Sequence, residues 1–166
     1  MGASEQGLIG QSIKRKEDVR FLTGAGQYTD DITLPRQTYA VFVRSPHAHA
    51  KVRKIDTARA KAAPGVVGVF TGADLEGVGG LPCGWLITSL DGTPMKEPPH
   101  PVLAQGKVRY VGDRVALVVA ESLTQAKDAA ELVDVDYEVL PAVVSPADAI
   151  KPGAPVVHDI APDNRC

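Results

Sequence analysis

The sequence predicts an α+β fold with a mixed sheet and two or three short helices, and three adjoining stretches carry that reading. Residues 115–120 (Val-Ala-Leu-Val-Val-Ala) form an apolar run of strand length, suited to a strand buried on both faces. Ser122-Leu-Thr-Gln125 has the form of a capping box and opens a helix running to about Val133, with Leu123, Ala126, Ala130 and Val133 on one apolar stripe. Val133, Val135, Tyr137 and Val139 then alternate with Asp134, Asp136 and Glu138, the pattern of a strand with an acidic outer face. Strand, helix and strand in succession make a candidate βαβ unit with a right-handed crossover. On this reading Ala130 faces the sheet.

The earlier elements follow from the same rules. Residues 1–12 are polar, contain glycine and lack periodicity, and are expected to form a flexible tail. Residues 14–31 read as an irregular arm with a short helical turn, broken at Gly24-Ala-Gly26. Residues 38–44 (Thr-Tyr-Ala-Val-Phe-Val-Arg) are apolar on both faces and β-branched, which predicts a central strand. After Ser45-Pro46, Ala48, Ala50 and Val52 alternate with His47, His49, Lys51 and Arg53, which predicts a strand with one wet, basic face. Asp56 or Thr57 caps a short helix over 58–63, Pro64-Gly65 ends it, and 66–70 is a further strand. Thr71-Gly-Ala-Asp74 resembles a small cap that opens one more turn.

Residues 77–101 hold ten glycines and prolines and must be largely loop. A connection beyond about 12–15 residues without regular structure marks a functional or interaction loop. Within it Asp91-Gly92 suits a tight hairpin turn after residues 87–90. Past Pro141 a turn over 147–150 precedes 151–166, which is rich in proline and glycine and reads as a linker.

Composition limits the function classes. A chain of 166 residues is long enough to bury roughly 70% of its unfolded surface without staples. Residues 1–82 carry a net charge of +3 and 83–166 one of −5, with no long block of either sign, and aromatic residues at 5% are too few for base stacking; nucleic acid is therefore not an expected partner. Nor is membrane insertion expected, since no run of about 18 apolar residues and no secretory leader occurs. Cys83 and Cys166 are too far apart in sequence to present a Cys-x-x-Cys ligand pair, and read as free thiols of a cytoplasmic protein.

Each chemical motif is outweighed by a plainer reading. Gly24-Ala-Gly-Gln-Tyr-Thr lacks the last glycine, the preceding strand and the following helix of a dinucleotide loop. His47 and His49 share a strand face with Lys51 and Arg53, whose charge repels a cation, so an interface or solvent surface is expected there rather than a metal site. Asp134, Asp136 and Glu138 spread over about 13 Å of strand and read as a solvated face. Ser45 and His47 lack an orienting acid, and His100 and His158 sit among prolines without a signal. No catalytic, cofactor-binding or metal-ligating residue is assigned.

Three stretches together resemble one family: Arg20-Phe-Leu-Thr-Gly-Ala-Gly-Gln-Tyr-Thr-Asp-Asp31, Val43-Arg-Ser-Pro-His-Ala-His-Ala50, and Val108-Arg-Tyr-Val-Gly-Asp-Arg-Val-Ala116 with the helix and strand over 126–141. In order and spacing they are similar to the start of the large, molybdenum-binding subunits of the xanthine dehydrogenase, aldehyde oxidase and carbon monoxide dehydrogenase family, nearest in tone to the last. The resemblance implies an α/β-hammerhead domain over 13–150, with 151–166 leading toward molybdopterin-binding domains. It implies a parent oxidoreductase that hydroxylates a substrate carbon with water and passes electrons from molybdenum through iron–sulfur clusters to FAD. The family's pterin-contacting segments and catalytic glutamate lie in later domains and match no position here, so the resemblance makes this chain a scaffold. It packs on the C-terminal catalytic domains and meets iron–sulfur or flavin subunits, with the 77–101 loop and the 47–53 face as the expected interfaces. The alternative is a free-standing interaction or assembly domain.

Overall fold

In the computed structural model residues 10–165 are described, and contacts divide the chain at Gln37/Thr38 into two units. The tail expected over 1–12 lies almost wholly outside the described residues. In the first unit a one-turn helix, α1 (Asp18–Leu22), begins with Asp18, which receives the Arg15 backbone N–H at 3.1 Å and pairs with its side chain at 2.9 Å. Phe21 stacks on Tyr28 with ring centroids 5.2 Å apart, and a Cβ on Gly26 would stand 2.2 Å from the Phe21 ring.

The second unit is α+β, as the sequence predicts. Its strands are β1 (Tyr39–Arg44), β2 (Ala50–Asp56), β3 (Val66–Thr71), β4 (Lys107–Val108), β5 (Arg114–Ala120) and β6 (Asp134–Val139). Its helices are α2 (Ala58–Lys61), α3 (Leu123–Glu131) and α4 (Pro146–Ala149), with a 3-10 turn over Gly72–Leu75. Local signals are met where they were read. The Ser122 hydroxyl accepts the Gln125 N–H, Asp56 receives the Ala58 N–H at 3.1 Å, and Asp74 receives both the N–H and the hydroxyl of Thr71.

Topology departs from the expectation. The strands make two three-stranded sheets, ordered β1-β5-β3 and β4-β2-β6, and every pairing is antiparallel. The βαβ unit is therefore corrected. Both edges of β5 are occupied by β1 and β3, so α3 carries the chain out of that sheet and β6 pairs with β2 instead. The central strand is also β5 rather than β1. Every second β1 residue is exposed, and its outward Phe42 lies beneath the guanidinium groups of Arg44 and Arg114.

As the middle strand, β5 is covered on both faces, which explains its unbroken apolar run. Val118 joins Ala60, Val69 and Ala129 under the helices, while Val115 joins Ala50, Ala104 and Val108 on the side of the second sheet. The α3 stripe is rotated by one position from the expected one. Ala126 and Ala129 are fully buried, Ala130 is half-buried at the edge of the cluster, and Leu123 is exposed.

Residues 151–165 have no regular structure, yet they are tied back to the unit. Asn164 receives the Val157 N–H and donates to the carbonyls of Ala149 and Pro155, and Ala161 is buried.

Candidate functional site

The basic face expected over 47–53 is rearranged by a turn that precedes β2. Ser45 is buried, its hydroxyl receives the His47 backbone N–H at 3.0 Å, and its own N–H and carbonyl bond Asp113 and Gly112. That turn shifts the strand start to Ala50 and breaks the alternation, so His47 and His49 do not share a wet face. His49 is buried, and its Nδ1–H donates to the Pro141 carbonyl at 2.7 Å, while His47 meets the Tyr137 ring edge-on at 5.0 Å. Burial pushes the Tyr137 phenol above its ordinary value. The Ser45 hydroxyl engages backbone rather than an imidazole, which is a turn's arrangement and not a nucleophile's.

The remaining basic residues of β2 are matched by β6. Register places Lys51 opposite Glu138 and Lys54 opposite Asp136; Glu138 pairs with Lys51 at 3.2 Å and also with Arg53. The basic and acidic strand faces inferred separately from sequence are two rows of one surface, which largely cancel. Neither is a free charged patch. Among the described residues no three His, Cys, Asp or Glu side chains converge as a metal-ligand set.

Residues 77–101 are largely loop, as their glycines and prolines predict. The tip of the loop is a small hairpin: Thr88 bridges Pro94, the Ser89 N–H donates to Thr93, and Gly92 takes φ +84° at the turn. Its neck is fixed where the Leu81 N–H donates to the His100 carbonyl at 2.8 Å, and a Cβ at Gly80 would strike that carbonyl at 2.7 Å. Between neck and tip Val78, Leu81, Leu86, Ile87 and Leu90 are exposed, and Trp85 is 80% exposed. The Cys83 thiol is free and exposed. A cavity of about 670 Å³ lies under the loop, lined by Leu81, Met95, Pro98 and Arg109 among others.

A second cavity, of about 280 Å³, was not visible in sequence. It is lined by His100, Lys107, Arg109, Tyr110, Asp113 and His158, drawn from three separate segments. The two histidines carry no local signal because 57 positions separate them and only the fold brings them together.

Residues 23–141 match the family described as aldehyde oxidase and xanthine dehydrogenase, a/b hammerhead domain. This chain belongs to that hammerhead family. It is 44% identical over 154 residues to the carbon monoxide dehydrogenase large chain of Afipia carboxidovorans, covering 92% of this chain and 18% of the relative. It is 34% identical to the xanthine dehydrogenase molybdenum-binding subunit of Escherichia coli O157:H7, covering 87% and 19%. Among solved structures, quinoline 2-oxidoreductase from Pseudomonas putida 86 superposes with a TM-score of 0.74 at 41% identity, covering 87% of this chain and 18% of that one. The hammerhead chain thus spans about a fifth of the length of the curated relatives it matches.

Among the described residues Cys83 is exposed in a loop, and the two histidines that share a strand face in the sequence pattern, His47 and His49, are engaged with Tyr137 and Pro141. No helix among the described residues is long and apolar enough to cross a membrane.

Proposed function

We propose that this chain is the N-terminal scaffold and interface domain of the large subunit of a cytoplasmic molybdenum hydroxylase of the carbon monoxide dehydrogenase type. Residues 13–150 form the hammerhead domain, and 151–166 lead toward the molybdopterin-binding domains. The parent oxidoreductase carries molybdopterin in those domains, with iron–sulfur clusters and FAD on partner domains or subunits, and the 166-residue chain alone is catalytically inert. The observation that carries this reading is the apolar surface of the 77–101 loop, where six large hydrophobic side chains, Trp85 among them, are exposed. Contiguous exposed apolar surface marks an interaction site. In a chain spanning about a fifth of its relatives' length, the partner it fits is the remainder of the large subunit.

Two measurements test this. The purified chain is expected to contain neither molybdenum nor iron, to be colourless, and to reduce no dye with carbon monoxide, xanthine or aldehydes. Substituted for the matching segment of the Afipia carboxidovorans large chain, it is expected to give an assembled enzyme, and Trp85→Asp in that chimera to prevent assembly while leaving the melting of the isolated chain unchanged. Stoichiometric molybdenum or turnover in the isolated chain would overturn the proposal, as would normal assembly of the Trp85→Asp chimera.

A further inference from the structure

The 280 Å³ cavity gathers cations and hydrogen-bond donors that the scaffold role does not use. Lys107 lies in β4, Arg109 and Tyr110 follow it, His100 comes from the loop neck, and His158 from the segment after α4. Arg109 is held in place by its Nε–H, which donates to the Val157 carbonyl at 3.2 Å, and by Nη1, which donates to the Lys107 carbonyl at 3.5 Å, leaving Nη2 as the guanidinium nitrogen without a protein acceptor. The Arg114 guanidinium donates to His100 Nε2 at 3.3 Å, so the hydrogen of the neutral His100 ring sits on Nδ1.

Acceptors in the cavity are few. Asp113 accepts the Arg109 backbone N–H at 3.1 Å, and Asp159, 81% exposed, pairs with Lys107 at 3.6 Å, a pair that a competing anion in water can replace. His158 lies beside these groups. Burial and then the Arg109 guanidinium push its imidazole below the ordinary value, with Lys107 and His100 adding to the effect and Asp159 opposing it.

We propose that this cavity binds a phosphate group, with Lys107 and Arg109 supplying charge and His100, Tyr110 and His158 supplying directed donors. The donors come from three segments on different sides, which suits the several oxygens of a tetrahedral dianion. A planar carboxylate, with two oxygens in one plane, would leave several of these donors idle. The inference is independent of the scaffold reading, since a phosphate site can be present or absent whatever the 77–101 loop contacts.

The experiment is a histidine-resolved NMR titration of the 166-residue chain with inorganic phosphate at constant ionic strength, with sodium chloride and acetate as parallel arms. Phosphate is expected to shift the His158 and His100 signals saturably, and to raise the His158 titration midpoint by about half a pH unit. By linkage that corresponds to roughly threefold tighter binding to the protonated ring. Lys107→Met is expected to weaken phosphate binding at least tenfold, and His100→Gln, in a loop where folding is less at stake, severalfold. A response no greater than chloride's would overturn the proposal, acetate binding as tight as phosphate would overturn the choice of ligand, and unchanged binding in both variants would place the anion elsewhere.

Discussion

In the β1-β5-β3 sheet one face is closed by helices, with Ala60 of α2 and Ala129 of α3 seated against Val69 and Val118. In the β4-β2-β6 sheet the inner face is closed by the other sheet, through Val115 and Val43 against Ala50, Val108, Val52 and Tyr137. Its outer face instead carries rows of opposite charge, with Lys51 and Arg53 on Glu138 and Lys54 on Asp56. The first sheet is held by shape, because alanines at the contact let helix and strand approach closely and leave no room for a larger group. The ion pairs of the second are partly exposed to water and contribute little stability each; those on Glu138 link β2 to β6, whereas Lys54–Asp56 lies within β2.

That contrast sets the size of the effects expected from substitution. Ala129→Asp buries a carboxylate without a partner and is expected to cost several kcal/mol, on the order of 3 or more, read as a collapsed melting temperature or insolubility. Ala130→Asp, half-buried at the cluster edge, is expected to cost less; the reverse order would show that the helix stripe is assigned to the wrong position. Glu138→Gln breaks two ion pairs on the partly exposed face and is expected to cost about 1 kcal/mol or less in urea titration. The cost should fade toward about 1 M salt, where screening acts within about 3 Å. A large, salt-independent loss would mean that the charged face is part of the core energetics.

The smallest effect concerns Asp56, whose carboxylate is held below its ordinary 3.8 by hydrogen bonding to Lys54 and then to the Ala58 N–H. Because the folded-state value is lowered, the contribution of Asp56 is present at neutral pH and is lost as pH falls through that lowered value. Lys54→Met should move the Asp56 midpoint, followed by NMR, back toward 3.8 and leave neutral-pH stability nearly unchanged. A midpoint that does not move would assign the shift to the Ala58 cap alone.

What could be read in advance was local. The Ser122 cap, the alternation over 134–139, the Asp91-Gly92 turn and the Thr71/Asp74 cap all rest on residues within a few positions of one another. The apolar loop was legible as a loop from its glycines and prolines, whereas the exposure of Trp85 was seen only in the structure. The alternation from His47 misled because Ser45 folds the backbone into a turn that delays the strand to Ala50, and a hydroxyl bonding its neighbour's N–H leaves no mark on a polar and apolar pattern.

The sequence by itself determined most of the strands, helices and loops, though not β4 or the start of β2, and through three quoted motifs it pointed to the hammerhead family. Only the tertiary structure decided that β5 lies between β1 and β3, that β6 leaves it for β2, that His49 is buried against Pro141, and that His100, Lys107, Arg109 and His158 share one cavity. The physical reason is range. Caps and turns are fixed by bonds spanning two to four residues, whereas strand order and the gathering of charges depend on contacts between segments many tens of residues apart, such as Lys51 with Glu138.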